Sequence, residues 1–282
     1  MIHLQVIFRI CLMISMGMVG FSIVSACGLD ARADDVVDTT GGRLQLIVGN
    51  VAQGTAHLGL AIDLKPGWHT YWRYPGDSGV PPDLTTETAD NISGFKVEYP
   101  APRRFAEAGD QTIGYTGKVT LLVDAALTDP SKSAFLTLHV RLGVCKEICV
   151  PVDTTLTASI DPAAPAPPQA ASEIRAAAGK VPVSITAGAD MSVIRVSRDD
   201  QVKPSLVTLA IKAKPDELTD VFVEGPETWA LPLPTKVSVS TDQSLWRFAL
   251  DGIPAGAALT GTELRVTIVG TSQSTVQTIT LP

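Results

Sequence analysis

Apolar and polar residues alternate along much of the chain, which is the pattern of β-strands with one buried face. The alternation recurs in short runs between residues 43 and 160. The longest run places five apolar residues on one face: Leu136, Leu138, Val140, Leu142 and Val144. Cys145 falls on the opposite, polar face and is expected to point away from the apolar side. This region therefore predicts a β-sandwich domain over residues 40–160.

A proline-rich stretch with the sequence DPAAPAPPQ, at residues 161–169, follows this first set of strands. Prolines so closely spaced cannot enter the interior of a sheet, so we predict a linker over residues 161–182. Within it, the alanine-rich residues 170–178 are expected to form a short connecting helix that Gly179 ends. Seven further strand-like runs between Met191 and Leu281 predict a second sandwich over residues 183–282. The predicted fold class is all-β, with two immunoglobulin-like β-sandwich domains joined by a Pro/Ala-rich linker.

The composition fits a globular protein and disfavours one class of partner. Of the 282 residues, 45% are hydrophobic and only 18% are charged, which is enough apolar material for packed cores. The formal net charge is -7. A chain with this acidic balance offers no basic field for a phosphate backbone, so nucleic-acid binding is not expected.

The amino-terminal residues have the pattern of an export signal. One arginine without acidic residues precedes an apolar run over residues 10–26, which predicts a secretory signal within residues 1–33. Two processing sites remain open: Ala31-Arg32-Ala33 suits cleavage before Asp34, whereas Val24-Ser25-Ala26-Cys27 suits a lipoprotein signal that ends before a lipid-anchored Cys27. No later stretch is long and apolar enough to span a membrane, so no transmembrane span is expected in the mature chain.

Cys145 and Cys149 are the only cysteines after the signal, and export would place them in an oxidising compartment. Residues four apart in a continuous strand are about 13 Å apart at about 3.3 Å per residue, whereas a disulfide needs Cα atoms within about 7 Å. The pair can close only if residues 146–148 turn the chain. A ring this small constrains the unfolded chain weakly, which favours redox work over stabilisation. A structural staple and a metal site with His139 as a further ligand remain as alternatives.

A cluster of aromatic residues over residues 69–74 is the next notable feature. Tyr71 and Trp72 are candidates for a rim around the cysteine pair or for a surface that docks partners. Ordinary core and turn packing explains the same residues equally well.

Three ordered motifs together resemble the amino-terminal periplasmic domain of the DsbD and ScsB thiol:disulfide interchange proteins. They are GWHTYWRYPGDSGVPP at residues 67–82, FAEAGDQTIGY at 105–115 and GVCKEICVPV at 143–152. The ScsB branch is more similar, through its Tyr-Trp-Arg and Pro-Gly-Asp-Ser-Gly run. The spacing of the cysteines departs from the longer gap of DsbD itself.

The resemblance implies a domain that relays electrons without a bound cofactor or metal. A thioredoxin-like or membrane reductase partner in trans would reduce the pair, which would then reduce disulfide-containing proteins of the periplasm. By the order of the family's cysteines, Cys149 would form the mixed disulfides and Cys145 would resolve them. The family also shields its pair with a loop, which corresponds here to residues 105–115 and makes Phe105 and Tyr115 the candidate lid aromatics.

The sequence thus predicts periplasmic thiol-disulfide exchange through Cys145 and Cys149, with copper tolerance and cytochrome c maturation as the processes that it could serve. If active, the chain is a thiol:disulfide oxidoreductase-type relay; whether it is an enzyme stays open. The alternative is a non-enzymatic periplasmic module that binds copper or a protein partner and carries a structural disulfide.

Overall fold

The computed structural model describes residues 35–76, 79–107, 110–214 and 216–282. The predicted export signal, its two processing sites and Cys27 lie outside these residues. All of the described residues belong to one compact unit. Strands are the main secondary structure of the described residues, with one helix, so the predicted all-β class is confirmed. In that part of the chain, no helix is both long enough and apolar enough to cross a membrane.

Eleven strands build the first sandwich. They are β1 (Val36–Asp38), β2 (Gly42–Ala52), β3 (Thr55–Leu64), β4 (His69–Gly76), β5 (Asp83–Asp90), β6 (Ile92–Glu98), β7 (Arg103–Glu107), β8 (Asp110–Thr116), β9 (Lys118–Leu127), β10 (Ala134–Cys145) and β11 (Cys149–Ile160). One sheet has the order β1-β2-β3-β9-β6. The other has the order β11-β10-β4-β8-β7, and β5 pairs with β10.

The core of this sandwich lies between the two sheets and follows the alternation of the sequence. Leu44, Leu58 and Leu121 of the first sheet are completely buried, as are Leu136 and Leu156 of the second. Burial of an aliphatic side chain contributes about 1.5–3 kcal/mol, so this shared interior is the main source of the domain's stability.

Eight strands build the second sandwich. They are β12 (Val183–Ser184), β13 (Ser192–Asp199), β14 (Leu206–Lys212), β15 (Leu218–Glu224), β16 (Thr235–Val239), β17 (Gln243–Ala249), β18 (Glu263–Gly270) and β19 (Thr275–Thr280). Their two sheets have the orders β12-β19-β18-β15 and β13-β14-β17-β16. Leu209, Val221 and Leu264 are fully buried between them. Strands β13–β19 overlap the seven predicted runs, and the domain boundaries stay a prediction.

Helix α1 (Pro168–Ala178) lies within the predicted linker and does more than connect. Ala170 and Ile174 pack against Ile47 and Ala61 on the outer face of the first sheet. The Glu173 carboxylate accepts hydrogen bonds from the Lys118 ammonium at 2.8 Å and from the Thr120 hydroxyl at 2.9 Å. The helix is therefore docked on the first sandwich.

Candidate functional site

Cys145 and Cys149 occupy the end of the β10–β11 hairpin. Cys145 is the last residue of β10 and Cys149 the first of β11, and the two are directly opposite in the antiparallel register. They form a disulfide with a Cα–Cα distance of 4.1 Å. The tip is closed by the Lys146 amide, which donates to the Ile148 carbonyl at 3.1 Å. This is the chain reversal that the spacing of the cysteines predicts.

The two sulfur-bearing residues differ sharply in exposure. Cys145 is completely buried, whereas Cys149 is exposed to solvent. The strand pattern places Cys145 on a polar face, but β4 runs beside this end of β10 and covers the residue. Of the two cysteines, Cys149 is therefore the one open to solvent. Ile148, which precedes Cys149, is 71% exposed at the tip of the hairpin.

Tyr71 of β4 contacts both sulfur atoms. Its hydroxyl donates a hydrogen bond to Cys145 Sγ at 2.9 Å and lies 3.3 Å from Cys149 Sγ. The residue is 3% exposed. The phenol thus covers the buried sulfur and supplies a proton donor within reach of either one.

Two glycines make room for the Tyr71 ring. A Cβ atom at Gly79 would lie 2.4 Å from the ring, and one at Gly143 would lie 3.2 Å from it. Gly79 also has a φ of +131°, which side-chain-bearing residues rarely adopt. A glycine inside an apolar strand, as at Gly143, is a sequence signal of such close approach.

His69 and Phe105 form a second layer behind Tyr71. The His69 ring meets the Tyr71 ring edge-on at a centroid distance of 5.5 Å, and the Phe105 ring at 4.8 Å. His69 is buried and lies opposite Cys145 in the strand register, whereas Phe105 is half-buried. Phe105 is therefore connected to the disulfide through two intervening rings. His69 belongs to the aromatic cluster of the sequence but was not among the candidate site residues.

Trp72 and Tyr115, the other two candidate rim and lid residues, lie in the hydrophobic core. Trp72 is fully buried and its ring contacts Phe222 at a centroid distance of 5.7 Å. The Tyr115 hydroxyl donates to the Pro100 carbonyl at 2.8 Å, and burial raises the pKa of this phenol well above its usual value. The structure thus brings Tyr71 to the sulfur atoms and Phe105 near Tyr71, and it places Trp72 and Tyr115 elsewhere.

His139, the further metal ligand of the alternative interpretation, is engaged with a carboxylate. Its Nε2 lies 2.6 Å from Asp153 Oδ1. Within the described ranges, no group of three or more His, Cys, Asp and Glu side chains is arranged to hold a metal ion.

Comparison with known proteins agrees with the motifs. Residues 44–160 match the family model described as "Thiol:disulfide interchange protein DsbD, N-terminal". The resemblance inferred from the sequence is confirmed. The matched segment contains most of both sheets of the first sandwich, together with Tyr71 and the cysteine pair. No individual curated protein sequence matches the chain significantly.

A solved structure shares the fold beyond the matched family segment. The N-terminal periplasmic domain of ScsB from Proteus mirabilis superimposes with a TM-score of 0.70 at 22% sequence identity. The superposition covers 88% of this chain and 99% of that domain. Coverage this broad includes strands from both sandwiches.

Proposed function

We propose that this chain performs thiol-disulfide exchange in the periplasm, with Cys149 as the sulfur that partners attack and Cys145 as the resolving sulfur. The observation that carries the proposal is the asymmetry of the disulfide: Cys149 is an exposed residue, whereas Cys145 is completely buried and its sulfur accepts a hydrogen bond from the Tyr71 hydroxyl. The periplasmic setting and a thioredoxin-like reductant are inferred from the DsbD family and from ScsB.

In the first half-reaction the partner's thiolate attacks Cys149 Sγ and forms a mixed disulfide. The Cys145–Cys149 bond breaks, and its electron pair leaves on Cys145 Sγ. A thiolate in a buried position is costly unless it accepts hydrogen bonds. The Tyr71 hydroxyl, 2.9 Å from that sulfur, is positioned to stabilise the developing charge.

The partner's second thiol then resolves the mixed disulfide and releases Cys149 as a thiolate. The partner is left oxidised, and this chain holds the two electrons as a dithiol. In the second half-reaction Cys149 attacks a substrate disulfide, and Cys145 displaces the reduced substrate as the internal disulfide forms again. No cofactor is needed, because the sulfur atoms carry both electrons.

We propose two classes of substrate protein. The likeness to ScsB favours proteins of copper tolerance, and the likeness to DsbD favours those of cytochrome c maturation. Both classes present the same group to Cys149, a disulfide accessible at the protein surface.

Ile148 is expected to contribute to the docking of protein partners, because it projects from the hairpin tip beside the exposed sulfur. We expect Ile148→Lys to slow reduction by a thioredoxin-like protein by about tenfold, equivalent to about 1.4 kcal/mol of lost apolar contact. Reduction by dithiothreitol should be unchanged, because a small reductant needs no docking surface. Stopped-flow measurement of both second-order rate constants checks this.

Val237→Lys is the matched control, since Val237 is also an exposed apolar residue, on β16 of the second sandwich. It should leave both rate constants unchanged. If Ile148→Lys slows reduction by the thioredoxin-like protein and by dithiothreitol equally, or slows neither reaction, the hairpin tip is not the docking surface.

A further inference from the structure

Strand β4 connects the redox site to the second sandwich. Tyr71 contacts the sulfur atoms, and the next three residues along the strand all contact strands or loops of the second sandwich. The Trp72 ring packs on Phe222, and the Tyr74 hydroxyl donates to the Leu231 carbonyl at 2.6 Å. The strand that carries Tyr71 is therefore joined to the second sandwich at three consecutive residues.

Arg73 contacts the second sandwich through a bidentate ion pair with Glu224. Its Nε and Nη2 donate to the two carboxylate oxygens of Glu224, both at 2.7 Å, and its guanidinium lies 4.2 Å from the centre of the Trp72 ring. The two charged side chains are only 22% and 15% exposed. A bidentate ion pair of this kind fixes the relative orientation of the two side chains as well as the distance between them.

A second bidentate ion pair joins strand β7 to the second sandwich. Arg104 donates to the carboxylate of Asp220 at 2.8 and 3.0 Å and to the Pro234 carbonyl at 2.9 Å. Its neighbour in the chain is Phe105, whose ring covers His69 behind Tyr71. The two strands that supply the aromatic layers of the site are thus both anchored to the second sandwich by a bidentate ion pair.

Stability alone is a weak explanation for these pairs. Burying two charges costs free energy that their attraction offsets only in part, so buried ion pairs contribute more reliably to geometry than to stability. Burial raises the pKa of the Asp220 carboxyl even though Arg104 opposes the shift, which shows that the cost is present here. Apolar contact is already supplied by Phe222 and Leu233, which belong to the core of the first sandwich.

We propose that the second sandwich is a positioning element for the exchange reaction, in which the Arg73–Glu224 pair holds Tyr71 in place over the Cys145–Cys149 disulfide and the Arg104–Asp220 pair holds Phe105 against His69 behind it. This inference rests on the proposed function. It assigns a role to residues 183–282, which contain neither cysteine nor histidine. Glu224 and Asp220 act through Tyr71 and do not themselves touch the sulfur atoms.

Neutral isosteres in the full chain test the proposal. Glu224→Gln and Asp220→Asn should each slow reduction of the disulfide about threefold to tenfold, whether the reductant is dithiothreitol or a thioredoxin-like protein. This is the loss in rate expected when the Tyr71 hydroxyl is displaced but not removed. Glu173→Gln is the matched control: it breaks an ion pair whose carboxylate is 16% exposed, but that pair joins helix α1 to the first sheet. It should change the thermal midpoint without changing either rate.

A double-mutant cycle separates positioning from general loosening of the fold. If Glu224 acts through the Tyr71 hydroxyl, Glu224→Gln should have little further effect on the rate in a Tyr71→Phe background. An equal fold-loss in both backgrounds would overturn the proposal, as would an unchanged rate in the single variants or an equal loss in Glu173→Gln. If the proposed function itself is wrong, the thioredoxin-like protein will not reduce the wild-type disulfide. The rates of the double-mutant cycle can still be measured with dithiothreitol in that case.

Discussion

Cys145→Ala is expected to accumulate a mixed disulfide with a thioredoxin-like partner, and Cys149→Ala is expected to accumulate none above background. Cys149 is the exposed cysteine and is expected to meet the partner in either direction of electron flow, whereas Cys145 is buried under Tyr71. Removing the resolving thiol leaves the mixed disulfide with no internal thiol to break it. The measurement uses a partner whose single remaining cysteine is activated as a mixed disulfide with thionitrobenzoate, and intact-mass spectrometry gives the yield.

The chain with both cysteines replaced is the control for non-specific adducts. Equal yields from the two single variants would contradict the assignment of roles. A higher yield from Cys149→Ala would reverse it.

Tyr71→Phe is expected to slow reduction of the disulfide by about tenfold to a hundredfold. The substitution keeps the ring between Gly79 and Gly143 and removes only the hydroxyl that donates to Cys145 Sγ. A hydrogen bond to a charged group contributes about 1.5–3 kcal/mol, and each factor of ten in rate corresponds to about 1.4 kcal/mol. Rate constants with dithiothreitol measure the effect without any contribution from partner docking.

Tyr115→Phe provides a matched control for this substitution. It also removes a buried tyrosine hydroxyl, but that hydroxyl donates to the Pro100 carbonyl in the core. We expect a loss of about 1 kcal/mol in the free energy of unfolding and no change in the exchange rate. If Tyr71→Phe exchanges as fast as the wild type, the phenol does not stabilise the leaving thiolate; if Tyr115→Phe slows exchange, Tyr115 has the lid role that the family resemblance implies.

The hairpin and the all-β class could be predicted because both depend on residues close together in the sequence. Only three residues lie between the cysteines, and a disulfide at that spacing requires a turn. The period-two alternation that defines β10 is likewise contained within one strand, and its apolar face is buried as expected.

The burial of Cys145 could not be predicted in this way, because it depends on a residue 74 positions earlier in the chain. Alternation along β10 gives the face of Cys145 but not what covers that face. Along β4, however, the same alternation separates neighbours: Tyr71 faces the disulfide and Trp72 faces the core. Of these two neighbours in the aromatic cluster, only Tyr71 contacts the sulfur atoms.

The ion pairs between the sandwiches are the least predictable feature of the molecule. Arg73 and Glu224 are 151 positions apart, and Arg104 and Asp220 are 116 apart. In the sequence each is an ordinary charged residue of a β-protein. Only the packing of β4 and β7 against β15 gives these charges their partners.

The reduction potential of the Cys145–Cys149 pair in the full chain tests the central claim most directly. The protein is equilibrated in glutathione buffers of graded potential, free thiols are alkylated and counted by mass, and circular dichroism follows the fold in the same samples. We expect reversible reduction with a midpoint above about -300 mV and an unchanged β-sheet spectrum. A midpoint below that value, or loss of the fold on reduction, would show that the bond is a structural staple.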